Sequence, residues 1–386
     1  MLTQVLIDST LYVGGSFTAV GGVTGAGVPV DSVTALPTAG FPVVNGSVFA
    51  AIPDGAGGWF LGGQFTSVGG VARTNLARVL SNGALSSWNP IADAPVRALA
   101  LSGNTLYVGG DFLNLAGVAR NRVGAVDITT GVTSAWNPNA NASVRALAVG
   151  ATAVYIGGQF TTIGGAAITR LAQVNNTTGA VNTSWIPNPN NTVFALALNE
   201  AAGFLYAGGQ FTILDGVTRN RIAQLESSTG LATLWNAGSN NTVLSIALSP
   251  SAVYIGGLFT QVGVSLRNRL AALSPTTGTP NTWNPGADNT VQTMVYNNGL
   301  LYVGGDFLNV SGVARSRAAV LNGTTGTATA WDPTAYGTVS TLACAQGKVL
   351  IGGTFNGVGG QPRRNAAAFN VRTGKATAWA PDVNNI

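Results

Sequence analysis

A pair of adjacent glycines that follows an apolar-aromatic stretch occurs eight times along the 386-residue chain, and its near-constant spacing limits the possible folds more than any other feature. The intervals between successive pairs are 48, 47, 48, 51, 48, 48 and 48 residues. The first glycines of the pairs are Gly14, Gly62, Gly109, Gly157, Gly208, Gly256, Gly304 and Gly352. Because eight units of about 48 residues account for essentially the whole chain, the spacing predicts a repeat architecture over residues 1–386 with no separate second domain.

Aromatic residues keep the same register as the glycines. Phe always stands three residues after the first glycine, as Phe17, Phe65, Phe112, Phe160, Phe211, Phe259, Phe307 and Phe355. An aromatic residue stands two residues before the first glycine in seven repeats, as Tyr12, Phe60, Tyr107, Tyr155, Tyr206, Tyr254 and Tyr302. A tryptophan stands about 27 residues after the first glycine of the pair in seven repeats, as Trp88, Trp136, Trp185, Trp235, Trp283, Trp331 and Trp379. Phe41 takes this position in the first repeat. We therefore expect aromatic layers to pack one repeat against the next.

Each repeat has the pattern of four short strands joined by turns. In the third repeat the predicted strands are residues 96–101, 106–112, 122–127 and a last strand that ends at Trp136. Turns such as Thr129-Thr130-Gly131 supply a glycine for positive φ. Four strands in 40 to 50 residues, repeated up to eight times, are typical of a β-propeller. We predict an all-β, single eight-bladed propeller of four-stranded antiparallel blades; a β-solenoid is the alternative, but it normally uses shorter repeats.

The glycine pair itself has a structural interpretation. Glycines in a strand mark close approach of a neighbouring group, and we expect an aromatic side chain of the next blade there. A phosphate-binding role would require a helix N-terminus after the glycines, and none is predicted. The extra residues of the 51-residue interval fall before Trp185 and within 199–203, which places the insertions in turns.

These motifs resemble those of a known repeat family. The segments Leu-Tyr-Val-Gly-Gly-x-Phe, from Leu106 to Phe112, and Gly-Val-x-Arg-Asn-Arg-x-Ala, from Gly216 to Ala223, precede a Thr-Gly turn and a Trp. The combination resembles the bacterial delta-60 repeat propellers over all eight repeats, and its Gly-Gly and Trp are similar to those of Kelch repeats. The resemblance implies a propeller from large, surface-exposed or secreted bacterial proteins, with no particular ligand and no catalytic residues. The first repeat departs from the pattern at Gly25 and Gly27.

Paired arginines are the most distinctive polar feature. The pairs are Arg120 with Arg122, Arg219 with Arg221, Arg267 with Arg269, and Arg315 with Arg317; Arg73, Arg170, Arg363 and Arg364 partly fill the same positions. Residues i and i+2 of a strand share a face, so each pair is expected on one face. We favour a clamp between blades, in which guanidinium groups bond backbone carbonyls. The alternative is a ring of anion sites for sulfated, sialylated or acidic glycans.

Asp or Gln follows the glycine pair in five repeats, whereas other residue types take the position elsewhere. These residues are Gln64, Asp111, Gln159, Gln210 and Asp306. The variation is more typical of a hydrogen-bonded group at a strand end than of a ligand position. Cys344 takes a position that is apolar in other repeats, so we expect it to be buried and unreactive.

The composition argues against catalysis. The chain has no His, which removes the usual general base and most transition-metal sites. The only glutamates, Glu200 and Glu226, fall outside the repeat pattern, so a glycosidase carboxylate pair would need aspartates from different blades. We expect no catalytic residue, no metal site and no cofactor, and keep a polysaccharide-acting enzyme as an alternative.

Charge and hydropathy restrict the partners. Only 8% of residues are charged, and the arginines behind the net charge of +5 are spread along the chain without the basic patch typical of nucleic-acid binding. No apolar run reaches the roughly 18 residues of a membrane span. Residues 1–10 lack the basic and apolar regions of a signal peptide and have the pattern of a strand. We expect neither nucleic-acid binding nor membrane insertion.

The functional hypothesis that these observations favour is a non-enzymatic structural and binding module outside the cell. Such a scaffold or adhesin would sit on a bacterial surface or a phage virion, with other surface or virion proteins and glycans as partners. The alternatives are the polysaccharide-acting enzyme and an intracellular interaction platform of the Kelch kind. The ligand, the binding face and the oligomeric state stay open.

Overall fold

The computed structural model describes residues 44–331 without a gap, Pro42, and the backbone of strands nearer each end of the chain. The terminal strands are Thr3–Ile7, Thr10–Gly14, Gly27–Asp31, Gly337–Ala345, Lys348–Phe355, Gly357–Val358, Gln361–Pro362 and Ala366–Asn370. Phe41, Trp379, Arg363, Arg364 and the side chain of Cys344 lie outside the described residues, as do the predictions made for them.

The described strands form eight antiparallel sheets, numbered 1 to 8 along the chain, each with its second strand in the middle. The first strands are Thr3–Ile7, Val44–Pro53, Val96–Ser102, Val144–Val149, Val193–Asn199, Val243–Leu248, Val291–Asn297 and Gly337–Ala345. The second strands are Thr10–Gly14, Trp59–Val68, Thr105–Gly110, Ala153–Gly158, Phe204–Gly209, Val253–Gly257, Leu300–Gly305 and Lys348–Phe355. The third strands are Gly27–Asp31, Leu76–Val79, Val123–Asp127, Leu171–Asn175, Ile222–Glu226, Leu270–Leu273, Ala318–Asn322 and Ala366–Asn370.

The segment predicted as a fourth strand is reduced to a single bridge in the described repeats. In sheet 3 the bridge joins Val126 to Thr133, just before Trp136. The same bridge occurs as Val79–Leu85, Val174–Val181, Leu225–Ala232, Leu273–Pro280 and Leu321–Ala328. The outer edge of each of these sheets is therefore very short, which limits edge-to-edge pairing with other chains.

Small hairpins that the sequence analysis did not predict lie between the second and third strands. They pair Asn114–Leu115 with Val118–Ala119, Ile213–Leu214 with Val217–Thr218, Gln261–Val262 with Ser265–Leu266, Asn309–Val310 with Val313–Ala314, and Gly357–Val358 with Gln361–Pro362. In sheet 2 the short strand Val71–Ala72 pairs with the end of the second strand. These hairpins lie at the end of each sheet where the glycine pair ends the second strand.

Helical structure within the described residues is confined to one short 3-10 turn, Glu200–Ala202. Asn199 Oδ1 accepts a hydrogen bond from Ala202 N at its start, and Gly203 ends it in the left-handed conformation. The turn occupies the insertion at 199–203, which confirms that the insertion lies in a turn. The described residues contain no helix with the length and apolar character needed to cross a membrane.

The sheets follow one another around a ring. The first strand of each sheet contacts the first strand of the next, and the first strand of sheet 1 also contacts that of sheet 8. Ala50, Leu99, Leu147, Leu196 and Ile246 come from five successive first strands and line one cavity of about 280 Å³. The first strands therefore surround a central channel.

The first glycine of each pair makes room for an aliphatic side chain, and the expectation of an aromatic one is wrong. A Cβ on Gly109 would lie 2.5 Å from Cγ1 of Val144, the first residue of the next first strand. The valine repeats at every described position of this kind, facing Gly62, Gly157, Gly208 and Gly256 as Val96, Val193, Val243 and Val291. The contact lies near the channel, where the sheets converge and leave too little space for a ring.

The aromatic side chains pack between sheets farther from the channel. Tyr107 and Trp136 meet edge to face with ring centroids 4.9 Å apart. Trp136 Nε1 donates to Asn175 O at 2.8 Å, and the Tyr107 hydroxyl donates to Asn176 O at 2.6 Å, both on the turn after sheet 4. Similar Tyr–Trp pairs form at Trp185, Trp235 and Trp283. Each pair therefore joins one repeat to the next by packing and by hydrogen bonds.

Candidate functional site

The first arginine of each predicted pair clamps two parts of its own repeat. Arg219 Nη1 donates to Thr218 O at 2.8 Å, and its Nη2 donates to Thr233 O at 2.6 Å. Thr233 lies two residues before Trp235, so the guanidinium joins the small hairpin to the segment that carries the tryptophan. Arg73, Arg120, Arg267 and Arg315 make the same two bonds. Bonding to carbonyls agrees with the prediction, but these bonds lie within one repeat and do not cross between blades.

The second arginine of each pair has a left-handed backbone. Arg221 has φ of 63°, and its amide donates to Phe211 O at 2.7 Å. The same conformation occurs at Asn75, Arg122, Arg170, Arg269 and Arg317. This residue interrupts the strand alternation, so the two arginines of a pair do not share a strand face as predicted. Arg122 Nη1 donates to Asp111 O, and Arg269 Nη1 donates to Leu258 O at 2.9 Å, so contacts here differ between repeats.

We expect Arg219→Ala to lower the free energy of unfolding by about 2 kcal/mol, because two charge-assisted hydrogen bonds are lost. The matched control is Arg221→Asn, since Asn75 already takes this position in sheet 2, and it should change stability by less than about 0.5 kcal/mol. Urea unfolding followed by tryptophan fluorescence measures both. Equal losses in the two variants would contradict the clamp.

A β-bulge near the start of the first strand was missed by the sequence analysis. In sheet 3 the register shifts between Val96 and Ala98, which leaves Arg97 as the extra residue. The same shift recurs in sheets 2 and 4 to 8. The bulge residues with described side chains are Phe49, Arg97, Arg145, Phe194, Leu244 and Gln292. A bulge redirects its side chain out of the regular alternation.

These six residues surround one end of the channel, which we call the bulge mouth. Arg97, Phe194 and Leu244 line the channel directly. Gln292 is exposed and the other five are half-buried. The residue before the bulge is a buried valine in sheets 3 to 7. The fold therefore fixes the neighbouring position and leaves the bulge residue variable in chemistry.

In sheets 3, 4 and 7 the residue after the glycine pair accepts a hydrogen bond from the bulge residue of the same sheet. Arg97 Nε donates to Asp111 Oδ2 at 2.6 Å, and the Ser143 hydroxyl donates to Asp111 Oδ1 at 2.5 Å. In sheet 7, Gln292 Nε2 donates to Asp306 Oδ2 at 3.1 Å. Hydrogen-bonded groups at these strand ends agree with the prediction for Asp111 and Asp306, and the structure adds that they belong to the bulge mouth.

Asp111 is held in its ionised form. Burial acts to raise its pKa, but the hydrogen bonds from Arg97 and Ser143 and the charge of Arg97 outweigh it, and the net pKa lies below the ordinary value. An acid catalyst requires the opposite shift. Asp111 therefore neutralises Arg97 and is unsuited to donate a proton at neutral pH.

The positive charge of Arg145 has weaker hydrogen-bonding partners than that of Arg97. Its Nη2 donates to Gln159 Oε1 at 3.4 Å, and its buried Nε has no hydrogen-bond partner among the described residues. Burial lowers the pKa of Arg145, and the positive charge of Arg97 lowers it further, whereas Asp111 acts to raise it. An arginine stays protonated at neutral pH despite such shifts. Two arginines and one nearby carboxylate leave net positive charge at this sector of the mouth.

The signal for this site was present in the sequence. Val96-Arg97-Ala98 was treated as part of an apolar strand, although arginine is rare in such strands and recurs one repeat later in Val144-Arg145-Ala146. The position between the valine and the small residue varies from Phe to Arg, Leu and Gln in sheets 2 to 7, whereas the residue before it stays Val and the residue after it stays small, as Ala, Ser or Thr. The described residues contain no group of three metal-ligating side chains.

Comparisons with known proteins agree with the ring of sheets. Residues 57–85 match the model of a family described as a domain of unknown function (DUF5122) beta-propeller. A computationally designed protein, Ika8, superposes with a TM-score of 0.65 at 14% identity, covering 95% of each chain. The WD40 beta-propeller domain of Doa1 superposes with a TM-score of 0.52 at 14% identity, covering 82% of this chain and 91% of that one.

No curated protein matches the sequence. At 14% identity the two structures establish the fold alone. The chain is an all-β repeat protein with a β-propeller fold.

Proposed function

We propose that this chain is a closed eight-bladed propeller of the delta-60 repeat type, and that it acts as a non-enzymatic binding module at the bacterial surface or on a phage virion. Contact between the first strands of sheets 1 and 8 supports closure. The recurring motifs support the repeat type, and the single-bridge outer segments supply the short edge of each blade.

The observation that carries the binding function is the variation of the bulge residue at one end of the channel, next to a valine that is the same in sheets 3 to 7. In a repeat protein, the positions that hold repeats together stay the same, as the Phe, Tyr, Trp and Gly-Gly positions do here. Phe49, Arg97, Phe194, Leu244 and Gln292 occupy equivalent positions and differ in size, charge and polarity. Packing does not require this difference, and it gives one end of the channel a distinct chemical surface, as expected for a recognition site.

Binding should be tested on a panel of immobilised acidic and neutral polysaccharides and extracellular proteins. We expect the wild type to bind at least one member without releasing reducing ends. Gln292→Trp should weaken that binding, because Gln292 is an exposed residue of the bulge mouth and a bulky ring there narrows the entrance. The matched control is Thr130→Trp, since Thr130 is equally exposed on the turn at the opposite end of sheet 3.

Two outcomes would contradict the proposal. Loss of binding in Thr130→Trp alone would place the recognition surface at the opposite end of the ring. Reducing ends released faster than from a heat-inactivated sample would show polysaccharide hydrolysis, and the non-enzymatic assignment would fail.

The location outside the cell rests on composition: two lysines, 8% charged residues and no histidine in a rigid ring suit an exposed scaffold. Mass spectrometry of separated cytosol, cell envelope and purified extracellular particles tests it. We expect the protein in the envelope or in particles. Confinement to the cytosol would favour the intracellular interaction platform.

A further inference from the structure

We propose that the sector of the bulge mouth around Arg145 binds the carboxylate groups of an acidic polysaccharide. This inference rests on the proposed binding function and names the ligand class for the same site. It differs from the alternative prediction of the sequence analysis, which placed anion sites at Arg120, Arg122, Arg219, Arg221, Arg267, Arg269, Arg315 and Arg317.

Most hydrogen-bond donors of Arg145 are not used by the described part of the protein. A guanidinium has five N–H donors in a fixed fork that matches a carboxylate. Arg145 uses one of its donors, at 3.4 Å to Gln159, and its Nε is buried without a partner among the described residues. The arginines of the clamps each make two bonds of 2.8 Å or less to carbonyls. The Nε atoms of the clamp residues Arg120, Arg219 and Arg267 are also buried without an acceptor among the described residues, so the difference lies in the Nη groups. Arg145 makes one long bond from its Nη groups, whereas each clamp arginine makes two short ones, and Arg145 therefore has more Nη donors free for a ligand.

The surroundings of Arg145 carry more positive than negative charge. Arg97 lies on the neighbouring first strand and is paired with Asp111 by an ion pair of 2.5 Å. Asp111 also accepts a hydrogen bond from the Ser143 hydroxyl at 2.5 Å, and Ser143 lies two residues before Arg145, so both arginines flank the same carboxylate on adjoining first strands. With one carboxylate for two guanidinium groups, a bound anion would complete the local neutralisation of this half-buried cluster.

The side chains beside the arginines favour a sugar as the carrier of that anion. Phe49 and Phe194 stand at the bulge positions on either side of the two arginines, and the Phe49 ring centroid lies 5.5 Å from Arg97 Cζ. Exposed amides follow the glycine pairs in three sheets of the same end: Gln64, Gln159 and Gln210. Aromatic faces next to amides suit the apolar face and hydroxyl groups of a pyranose ring, whereas a bare anion site would need neither.

Isothermal titration with tetragalacturonate and its methyl ester tests this inference, because the two probes share a backbone and differ in charge. We expect the acid to bind at least tenfold more tightly than the ester at fixed salt. Arg145→Gln should weaken binding of the acid at least tenfold, because truncating one partner of a hydrogen-bonded ion pair costs that much or more. Gln159→Glu should also weaken binding of the acid at least tenfold, because the new carboxylate would form an ion pair with Arg145 and compete with the ligand. Gln159 is exposed, so the added charge is tolerated there.

The matched control is Arg267→Gln, which removes the same charge from a clamp and should leave the affinity for tetragalacturonate unchanged. Equal affinity of the wild type for acid and ester, or unchanged affinity in both Arg145→Gln and Gln159→Glu, would overturn the carboxylate site. Preference for sulfated dextran or for polyglutamate over tetragalacturonate would overturn the ligand class. A neutral glycan or a protein bound at the bulge mouth would leave the proposed function intact and reject this inference.

Discussion

Gly209→Ala is expected to prevent stable folding, with a loss of more than about 4 kcal/mol in the free energy of unfolding. A Cβ at this second glycine of the fifth pair would lie 2.0 Å from Thr192 O, which is a backbone atom of the adjoining first strand. Side-chain movement cannot relieve such a clash. The two strands of sheet 5 would have to separate, and the hydrogen bond from Gln210 N to Thr192 O at 2.9 Å would be lost.

The matched control is Gly216→Ala in the same repeat. Gly216 has φ of +68°, and no atom lies within 4 Å of an added Cβ, so the change introduces backbone strain without a clash. We expect a loss of about 1 kcal/mol. Circular dichroism and urea unfolding of both variants provide the measurement. Similar losses in the two variants would contradict this account, because the close approach of the strands at Gly209 would then cost no more than the backbone strain at Gly216.

Trp235→Ala has the second largest expected effect, a loss of about 3 to 5 kcal/mol. The side chain is 2% exposed, meets Tyr206 with ring centroids 5.5 Å apart, and donates from Nε1 to Ser274 O at 2.7 Å. Removing the indole leaves a cavity between sheets 5 and 6, and Ser274 O keeps only the hydrogen bond from Gly278 N. Thermal unfolding monitored by circular dichroism measures the change.

Trp235→Phe separates packing from hydrogen bonding, because it keeps most of the ring and removes the donor. We expect about 1 kcal/mol of loss, the typical net contribution of one hydrogen bond, because Ser274 O keeps its bond from Gly278 N. Equal effects of the Ala and Phe variants would assign the whole contribution to the hydrogen bond, against the interpretation that aromatic packing joins the repeats.

The all-β propeller fold could be predicted from the sequence because its determinants recur at a fixed interval. The positions of Tyr107 and Trp136 follow from the repeat period, and their role in joining repeats is confirmed by their hydrogen bonds to Asn176 and Asn175 of the next repeat. The strand ends were predicted to within a residue or two, as for 122–127 against the observed Val123–Asp127. The count of eight blades and their closure stay proposals, supported by the eight repeats and by the contact between sheets 1 and 8.

The details of the site could not be predicted, because they depend on departures from regular strand geometry. A bulge at Arg97 and a left-handed residue at Arg122 each shift the alternation by one position. Strand periodicity therefore assigned both arginines to the wrong environment. The aliphatic contact at Gly109 was missed for another reason: it depends on how closely the sheets converge near the channel, which no local pattern records.

Closure of the ring is the central claim, since the bulge mouth exists only if the first strands surround a channel. Electron–electron double resonance on spin-label pairs tests it most directly, in a chain that carries Cys344→Ala. Thr130→Cys would be paired in turn with a cysteine replacing Thr178, Thr229, Thr277 or Thr325, all exposed on equivalent turns of sheets 3 to 7. In a closed eight-membered ring, the distance between the two spin labels should grow by less with each sheet that separates them. Moving the second label from sheet 6 to sheet 7 should increase that distance very little. Equal increments at every step would indicate a solenoid and would contradict the propeller, the bulge mouth and the ligand site together.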